Sequence, residues 1–271
     1  MSELPFAATT PISVARVGLK ARDAEGLAAF YRSVIGLEEL SRDGQTILLG
    51  ARARPLLEIE ADSAARPDDP RSAGLFHTAF LLPSRADLGR WINFSIANRI
   101  GIDGASDHLV SEALYLTDPE GNGIEIYADR PREAWTMNGS QIAMATERLN
   151  IPGVVGTVPE GDAGWQGAPE NTVIGHVHLR TGNPADAEAW WRDEMGFDTM
   201  AKYGSSAVFL SSGGYHHHIG ANSWSSAGAG RRDPALSGLS WVEMRSAEAG
   251  AVSESEDPWG TVIRTVPDAA A

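Results

Sequence analysis

The chain of 271 residues repeats a strand-then-helix pattern, and the two copies keep the same internal spacing. In each copy an apolar stretch, at residues 14–19 or 174–179, precedes an aromatic pair and then a helix end marked by glycine. Three pairs of landmarks are each 160 positions apart: Arg16 and His176, Phe30 and Trp190, and Gly36 and Gly196. Chance rarely preserves spacing over three landmarks, so the chain is interpreted as an internal duplication.

Each half contains a second, weaker copy of the same unit, because further strands are predicted at residues 75–81 and 239–244. The sequence is therefore divided into four modules, each beginning with a strand and ending in more strands, at about 12–62, 72–130, 172–225 and 236–267. Only 24 positions separate Ser240 from Arg264 in module four, against 48 between His77 and Glu125 in module two. We expect that module four has lost its helix.

The stretch 131–171 joins the two halves and contains four prolines and several glycines, a composition that separates domains. Its apolar side chains, among them Trp135 and Ile142, indicate that part of it packs on the body of the protein. We predict an N-terminal domain at 10–130, made of modules one and two, and a C-terminal domain at 172–268, made of modules three and four, with 131–171 as a connector.

The composition argues against some partners. The 22 Lys and Arg residues against 36 Asp and Glu residues give a formal charge of -14, whereas nucleic acid or an anionic membrane needs a positive surface. No apolar run approaches the roughly 20 residues that cross a bilayer, and the first residues do not resemble a signal peptide. We therefore expect a cytoplasmic protein. Because the chain has no cysteine, any metal must be held by His, Asp and Glu.

Modules two and four end in similar turn-strand segments that differ in one charge. Residues 118–126 read Asp-Pro-Glu-Gly-Asn-Gly-Ile-Glu-Ile, and residues 257–265 read Asp-Pro-Trp-Gly-Thr-Val-Ile-Arg-Thr. Glu125 in the first segment therefore corresponds to Arg264 in the second. The first ending can offer a carboxylate to a metal, and the second offers a cation instead.

The fourfold module, the helix end at residues 30–37 and the segment 118–126 resemble the vicinal oxygen chelate superfamily, which includes glyoxalase I, bleomycin-resistance proteins and extradiol catechol dioxygenases. The resemblance covers nearly the whole chain. It implies an α+β fold of four βαβββ modules in two glyoxalase-like domains, here with the fourth module truncated. It also implies that two modules curl around one metal site, with ligands on the first and last strands of a module.

Two finer motifs are similar to those of extradiol dioxygenases. The run 215–218, Tyr-His-His-His, resembles the strand that carries their acid–base histidine. The segment 107–111, Asp-His-Leu-Val-Ser, followed by Tyr115 and Glu125, resembles their closing module with its active-site tyrosine and glutamate ligand. The overall form is similar to the two-domain catechol-2,3-dioxygenases of bacteria.

The ligand positions that the resemblance implies indicate which modules share a site. They are Arg16, His77, His176 and Ser240 on first strands, and Glu58, Glu125, a position near 217–219 and Arg264 on last strands. Modules one and two would include a fixed cation, and modules three and four would give His176 with Ser240 and Arg264, which cannot hold a divalent metal. Modules two and three give two histidines and one carboxylate, the composition of non-haem Fe(II) sites. We therefore propose a site shared across the halves, although ordinary extradiol enzymes build theirs from the last two modules.

The resemblance implies an Fe(II)-dependent extradiol ring-cleaving dioxygenase that acts on a catechol-like aromatic substrate with O2. The implied roles are metal ligands at His77, Glu125 and His176, an acid–base residue at His217, a substrate hydrogen-bond donor at Tyr115 and a pocket residue at His108. Mn(II) binds the same ligand types, and a role for His217 as a fourth ligand stays open.

Two rival functions stay open. One is another metal-dependent enzyme on the same scaffold, such as a glyoxalase-like isomerase, which would want a second carboxylate ligand. The other is a non-catalytic small-molecule-binding or resistance protein, because module four shows that ligands have been lost in this chain. The sequence does not choose the substrate, and it leaves the oligomeric state open, with a homo-oligomer among the options.

Overall fold

The computed structural model describes residues 4–139 and 141–268 and shows an α+β protein. Module one consists of strand β1 (Ile12–Ala21), helix α1 (Ala24–Phe30) and strands β2 (Glu38–Asp43), β3 (Thr46–Ala51) and β4 (Arg54–Ala61). Module two repeats this order with β5 (Gly74–Leu81), α2 (Arg85–Ala97), β6 (Gly104–Asp107), β7 (Ser111–Thr117) and β8 (Gly123–Asp129). Both modules follow the predicted βαβββ order.

The described part of the connector contains a short 3-10 helix at Arg132–Ala134, three short strands and one α-helix, namely β9 (Met137–Asn138), β10 (Gln141–Ile142), β11 (Glu147–Arg148) and α3 (Ile151–Val155). Module three consists of β12 (Val173–Arg180), α4 (Pro184–Met195), β13 (Asp198–Tyr203), β14 (Ala207–Ser211) and β15 (Ile219–Asn222). Module four has only β16 (Gly238–Ser246), β17 (Ser253–Glu256) and β18 (Val262–Pro267), which confirms the predicted loss of its helix.

The glycines of the 160-residue repeat end equivalent helices. Helix α1 continues as a π-helical turn that ends at Gly36, and α4 ends at Gly196. Both glycines adopt a positive φ, of 79° and 66°, a conformation that side chains disfavour. The conserved spacing of the two copies therefore reflects two helices of matched position that stop by the same means.

Two large sheets organise the molecule, and each takes one module from either half of the chain. The first sheet, in the order β17-β18-β16-β1-β4-β3-β2, joins modules one and four. The second sheet, in the order β11-β6-β7-β8-β5-β12-β15-β14-β13, joins modules two and three. Modules two and three, which the sequence predicts to share a site, are thus neighbours in one sheet. The division into domains at 10–130 and 172–268 stays a prediction, and both sheets cross it.

The two sheets share one internal plan. In each, the first strands of two modules lie antiparallel at the centre, as β1 with β16 and β5 with β12. Each first strand also runs parallel to the last strand of its own module, as β5 with β8 and β12 with β15. First-strand and last-strand positions of two modules are therefore neighbours at the centre of each sheet, which is where a shared site can form.

One hydrophobic cluster holds the sheets and helices together. It includes buried side chains from both sheets and from helices α1 to α4, such as Leu19, Leu27, Phe80, Trp91 and Trp191. The indole of Trp91 on α2 also donates a hydrogen bond of 2.9 Å to the carbonyl oxygen of Val34 in module one. The centre of the second sheet is thus supported by a continuous core.

No helix in the ranges 4–139 and 141–268 combines the length and the apolar character that a membrane span requires.

Candidate active site

Three buried side chains bring one ligand atom each to a common point at the centre of the second sheet. The Nε2 atom of His77 lies 3.1 Å from Oε2 of Glu125 and 3.2 Å from Nε2 of His176. The Nε2 atom of His176 lies 3.2 Å from the same carboxylate oxygen. The three atoms form a nearly equilateral triangle, which we call the ligand triangle. Among the described residues, this is the one group of His, Asp and Glu side chains placed to hold a metal ion.

Strand register explains this convergence. His77 lies on β5, between Glu125 on the neighbouring strand β8 and His176 on the neighbouring strand β12. Ala79 pairs with Glu125 on one side and with His176 on the other, and residues two apart on a strand face the same side. The small side chain of Ala79 therefore leaves room for the carboxylate and the imidazole to lean toward His77.

Burial sets the charge state of the ligand triangle. It lowers the pKa of His176 to about 4, so this ring is neutral near pH 7. Burial would raise the pKa of Glu125, but the adjacent His176 and His77 hold that pKa well below its usual range. The triangle thus contains a buried carboxylate, and a buried anion is costly unless a cation compensates it.

The ligand triangle fits a divalent metal ion of octahedral preference. With bonds of about 2.1 Å, adjacent ligands of an octahedron lie about 3.0 Å apart, close to the separations in the triangle. A neutral imidazole has a single N–H, so at most two hydrogens are available to the three facing atoms, and both would point at the same oxygen of Glu125. A cation at the centre would satisfy all three atoms at once.

The first sheet fills the equivalent place with ion pairs. Arg16 donates to both carboxylate oxygens of Glu243, at 2.8 and 2.6 Å, and lies 3.6 Å from Glu58. Arg264 is opposite Glu243 in the sheet, and its guanidinium lies 4.4 Å from the ring centre of Trp241. Fixed cations and an indole therefore occupy the centre of the first sheet, which agrees with the absence of a ligand set in modules one and four.

A cavity of about 520 Å³ opens over the ligand triangle. Its wall contains all three ligand residues together with His108, Tyr115, His178 and His217. Residues 141–146 of the connector form a further wall. The sequence indicated that the connector packs on the body, but it carried no signal that the connector covers the site.

Tyr115 and His108 form a hydrogen-bonded pair at the cavity wall. Nδ1 of His108 lies 2.7 Å from the carbonyl oxygen of Ala145, so this nitrogen carries the hydrogen. Nε2 of a neutral His108 then accepts from the hydroxyl of Tyr115, at 2.5 Å. Burial, together with the nearby charge of Glu125, raises the pKa of Tyr115 well above its usual value, so the hydroxyl stays protonated.

His217 lies beside the ligand triangle, with its ring centre 4.1 Å from that of His176. A turn at residues 213–214, where both glycines have positive φ, leads the chain into this position. His217 lines the cavity, whereas its neighbours His216 and His218 do not. Residues 216–218 precede β15 rather than lying in it, so the turn, and not the alternation expected along a strand, sets the direction of His217.

An aromatic wall, defined as Phe76, His178, Phe209 and Trp224, closes the cavity next to His77. The ring centres of Phe76 and Trp224 are 5.2 Å apart. The ring centre of His178 lies 5.1 Å from that of Phe76, 5.4 Å from that of Trp224 and 5.7 Å from that of Phe209. Among the described residues, Nε2 of His178 has no hydrogen-bond partner. Strand parity places His178 on the same face as His176, so the sequence indicates it as a pocket residue, whereas the other members of the wall required the fold.

Comparison with known proteins identifies the family of the chain. A family model described as the Glyoxalase/Bleomycin resistance protein/Dioxygenase superfamily matches residues 13–126. A protein of Bacillus subtilis (strain 168) named catechol-2,3-dioxygenase is 42% identical over 230 residues, which covers 83% of this chain and 80% of that protein.

Two solved structures share the fold at low sequence identity. A candidate dioxygenase from Bacillus subtilis (strain 168) has a TM-score of 0.60 and 13% identity, over 97% of this chain and 86% of that one. Glyoxalase I from Zea mays has a TM-score of 0.55 and 11% identity, over 97% of this chain and 94% of that one. The expected α+β fold of glyoxalase-like modules is thus confirmed. By its sequence identity to a curated relative, the chain belongs to the glyoxalase/bleomycin resistance/dioxygenase superfamily, in which it is a dioxygenase-like enzyme.

Proposed function

We propose that this protein is an extradiol ring-cleaving dioxygenase that uses Fe(II) and O2 to open a catechol-like aromatic ring. The observation that carries the proposal is the ligand triangle of His77, Glu125 and His176 at the wall of a cavity. Two imidazoles and one carboxylate on one face of a metal form the ligand set of non-haem Fe(II) oxygenases, which leaves positions open for substrate and O2. The relative named catechol-2,3-dioxygenase supports the reaction class.

The three residues of the ligand triangle would hold the metal. When bound there, Fe(II) supplies the redox chemistry that joins a catecholate to O2, which side chains alone cannot provide. The buried charge of Glu125 offsets part of the positive charge of the ion. Mn(II) accepts the same ligands, so Fe(II) is proposed from the reaction class and is to be measured directly.

Tyr115 and His108 are proposed to bind a substrate oxygen. In the free protein the hydroxyl hydrogen of Tyr115 is held by His108, so its oxygen has lone pairs available to a catechol hydroxyl. Tyr115 can donate to the substrate once the hydroxyl turns away from His108. Tyr115 can therefore accept a hydrogen bond from the protonated substrate oxygen and donate one after that oxygen has lost its proton. This extends the simple donor role expected from the sequence.

His217 is proposed as the acid–base residue of the reaction. Its ring lies against that of His176 and faces the same cavity as the ligand triangle. A group in this position can reach a molecule bound at the triangle without occupying a ligand corner. Positioned acid–base groups contribute about 10²- to 10⁴-fold to rate in enzymes.

The cavity favours an aromatic substrate with an apolar substituent. Its volume of about 520 Å³ lies within the range of roughly 300–1,000 Å³ that suits ligands of several rings. The aromatic wall offers ring faces and edges for stacking beside the ligand triangle. The proposal includes no partner beyond the small aromatic and O2, and it places the protein in the cytoplasm.

A glyoxalase-like isomerase is less favoured by the same geometry. Such an enzyme would need a second carboxylate ligand, and among the described residues Glu125 is the one acidic side chain at the cavity wall.

Anaerobic reconstitution tests the proposal. The purified protein would be loaded with Fe(II), its metal content measured, and O2 uptake followed with catechol and with alkyl- and aryl-substituted catechols. We expect one iron per chain, and one O2 consumed per ring cleaved with at least one of these substrates. Stoichiometric iron without O2 uptake on any catechol would refute the dioxygenase. Failure to bind a divalent metal would refute the metal site as well.

A further inference from the structure

A row of polar side chains lies behind the cavity and ends at His217. The Nδ1 atoms of His216 and His217 are 2.8 Å apart, and Nε2 of His216 lies 2.9 Å from Oδ1 of Asp129. His216 is completely buried, with the rings of Tyr127 and Trp135 packed beside it. The row Asp129–His216–His217 therefore links a carboxylate outside the cavity to a ring at its wall.

The carboxylate of Asp129 determines which ring nitrogens of His216 and His217 carry a hydrogen. An ionised carboxylate can only accept hydrogen bonds, so His216 carries its hydrogen on Nε2. The other nitrogen of a neutral His216 is then bare, and the hydrogen between the two Nδ1 atoms belongs to His217. His217 is left with a bare Nε2. No side chain or backbone group in 4–139 and 141–268 hydrogen-bonds this atom, and the ring lines the cavity.

The carboxylate of Asp129 is held from a second side. Asp129 shares the β8 face of Glu125 and Tyr127, because the three residues alternate along the strand. The hydroxyl of Tyr215 donates to the same Oδ1 at 3.2 Å, and the hydroxyl of Tyr127 lies 2.7 Å from that of Tyr215. The hydroxyl of Tyr215, itself paired with Tyr127, thus helps to keep the oxygen that accepts from His216 in place.

We propose that Asp129 and His216 are positioning residues that fix His217 in the tautomer with a bare Nε2 toward the cavity. The inference rests on the proposed function, in which His217 accepts a proton from the substrate and returns it. The opposite tautomer would present an N–H to the cavity and could not accept. After Nε2 of His217 takes up the proton, its Nδ1–H stays hydrogen-bonded to His216. The imidazole of His216 then lies between the positive charge on His217 and the carboxylate of Asp129.

Nitrogen-15 NMR tests the tautomer without turnover. The protein would be labelled on histidine and loaded with Zn(II), which is diamagnetic, and resonances would be assigned with the His217→Gln and His216→Leu variants. We expect the Nδ1–H form for His217 and the Nε2–H form for His216. We also expect His217 to lose this preference in His216→Leu. An Nε2–H form of His217 in the unmodified protein would overturn the proposal.

Kinetics with Fe(II) test whether the positioning matters. We expect His216→Leu to lower kcat by about tenfold or more with little change in KM or iron content. His216→Asn should keep most of kcat, because its amide oxygen can still accept near the position of Nδ1. Asp129→Ala should lower kcat in the parent protein but not in a His216→Asn background. Equal losses of kcat from Asp129→Ala in both backgrounds would overturn the proposal that Asp129 acts through His216.

His218→Asn is the matched control. His218 is the third histidine of the run, it is bonded to the carbonyl oxygen of Ala7 at 2.9 Å, and it does not line the cavity. This variant should leave the tautomer of His217 and kcat unchanged even if the thermal midpoint falls. A loss of the His217 tautomer in His218→Asn would contradict the specific role of His216. An absence of O2 uptake with the expected tautomer would instead count against the proposed function alone.

Discussion

His77 and His176 lie 99 residues apart in the sequence, on opposite sides of the connector, yet their Nε2 atoms are 3.2 Å apart. Antiparallel pairing of β5 with β12 brings them together, and Glu125 reaches the same point from β8. The candidate metal site is therefore formed at the seam between the two halves of the chain. Neither half contains the complete ligand triangle.

Replacing Glu125 by glutamine tests the charge of the triangle. In the unmodified protein, anaerobic Fe(II) or Mn(II) should raise the thermal midpoint, because a ligand at about 100 times its Kd adds about 2.7 kcal/mol of stability. The Glu125→Gln variant should show no such rise in scanning calorimetry. Glu58→Gln in the first sheet, which removes a carboxylate beside Arg16, should respond like the parent. An equal rise in both variants would argue against the site.

Tyr115→Phe removes the hydroxyl that is paired with His108. We expect kcat/KM to fall about tenfold, corresponding to roughly 1.4 kcal/mol for one lost hydrogen bond to substrate. Iron content should not change, because Tyr115 is not a ligand. Tyr203→Phe is the control, since Tyr203 lies at the cavity rim and is 52% exposed. Steady-state kinetics that show the same loss for both variants would remove Tyr115 from its proposed role.

Trp224→Ala opens the aromatic wall. Because Trp224 packs against Phe76 and His178, we expect KM for substituted catechols to rise by about tenfold, and KM for unsubstituted catechol to change much less. Ile96→Ala removes an exposed apolar side chain that does not line the cavity and should change neither value. If Trp224→Ala affects all substrates alike, the wall does not set substrate preference.

Gly175→Ala tests the packing behind Asp129. A Cβ atom at this position would lie 1.8 Å from the hydroxyl oxygen of Tyr127, so β12 or the tyrosine must shift. We expect a loss of about 1–3 kcal/mol in the free energy of unfolding, as overpacked cores show. Urea titration should find Gly101→Ala near neutral, because no atom lies within 4 Å of a Cβ there. Similar losses in both variants would contradict the packing argument.

The sequence predicted the modules because repeated spacing survives changes in individual residues. It also predicted that modules two and three share a site, since Arg264 and Ser240 left module four without ligands, and the two modules lie in one sheet. Strand parity indicated that His178 faces the same side as His176, because alternation along a strand is fixed by backbone geometry. These inferences depend on local chemistry and on a periodic pattern, both of which a single chain displays.

Other parts of the site required the fold. The connector wall at residues 141–146 has no periodicity that indicates where it packs. Asp129 and His216 meet across 87 residues, and nothing in their local sequence encodes that contact. The pairing of Arg16 with Glu243 spans 227 residues in the same way. Such contacts depend on which sheets form, so local sequence patterns do not reveal them.

Iron content of three alanine variants tests the shared site most directly. His77→Ala and His176→Ala each remove one ligand from opposite halves of the chain, and Ser240→Ala changes the equivalent first-strand position of module four. After anaerobic loading and desalting, we predict about one iron per chain in the unmodified protein and in Ser240→Ala, and loss of stoichiometric iron in both histidine variants. Full iron retention in either histidine variant, or equal loss in Ser240→Ala, would contradict a metal site built by modules two and three.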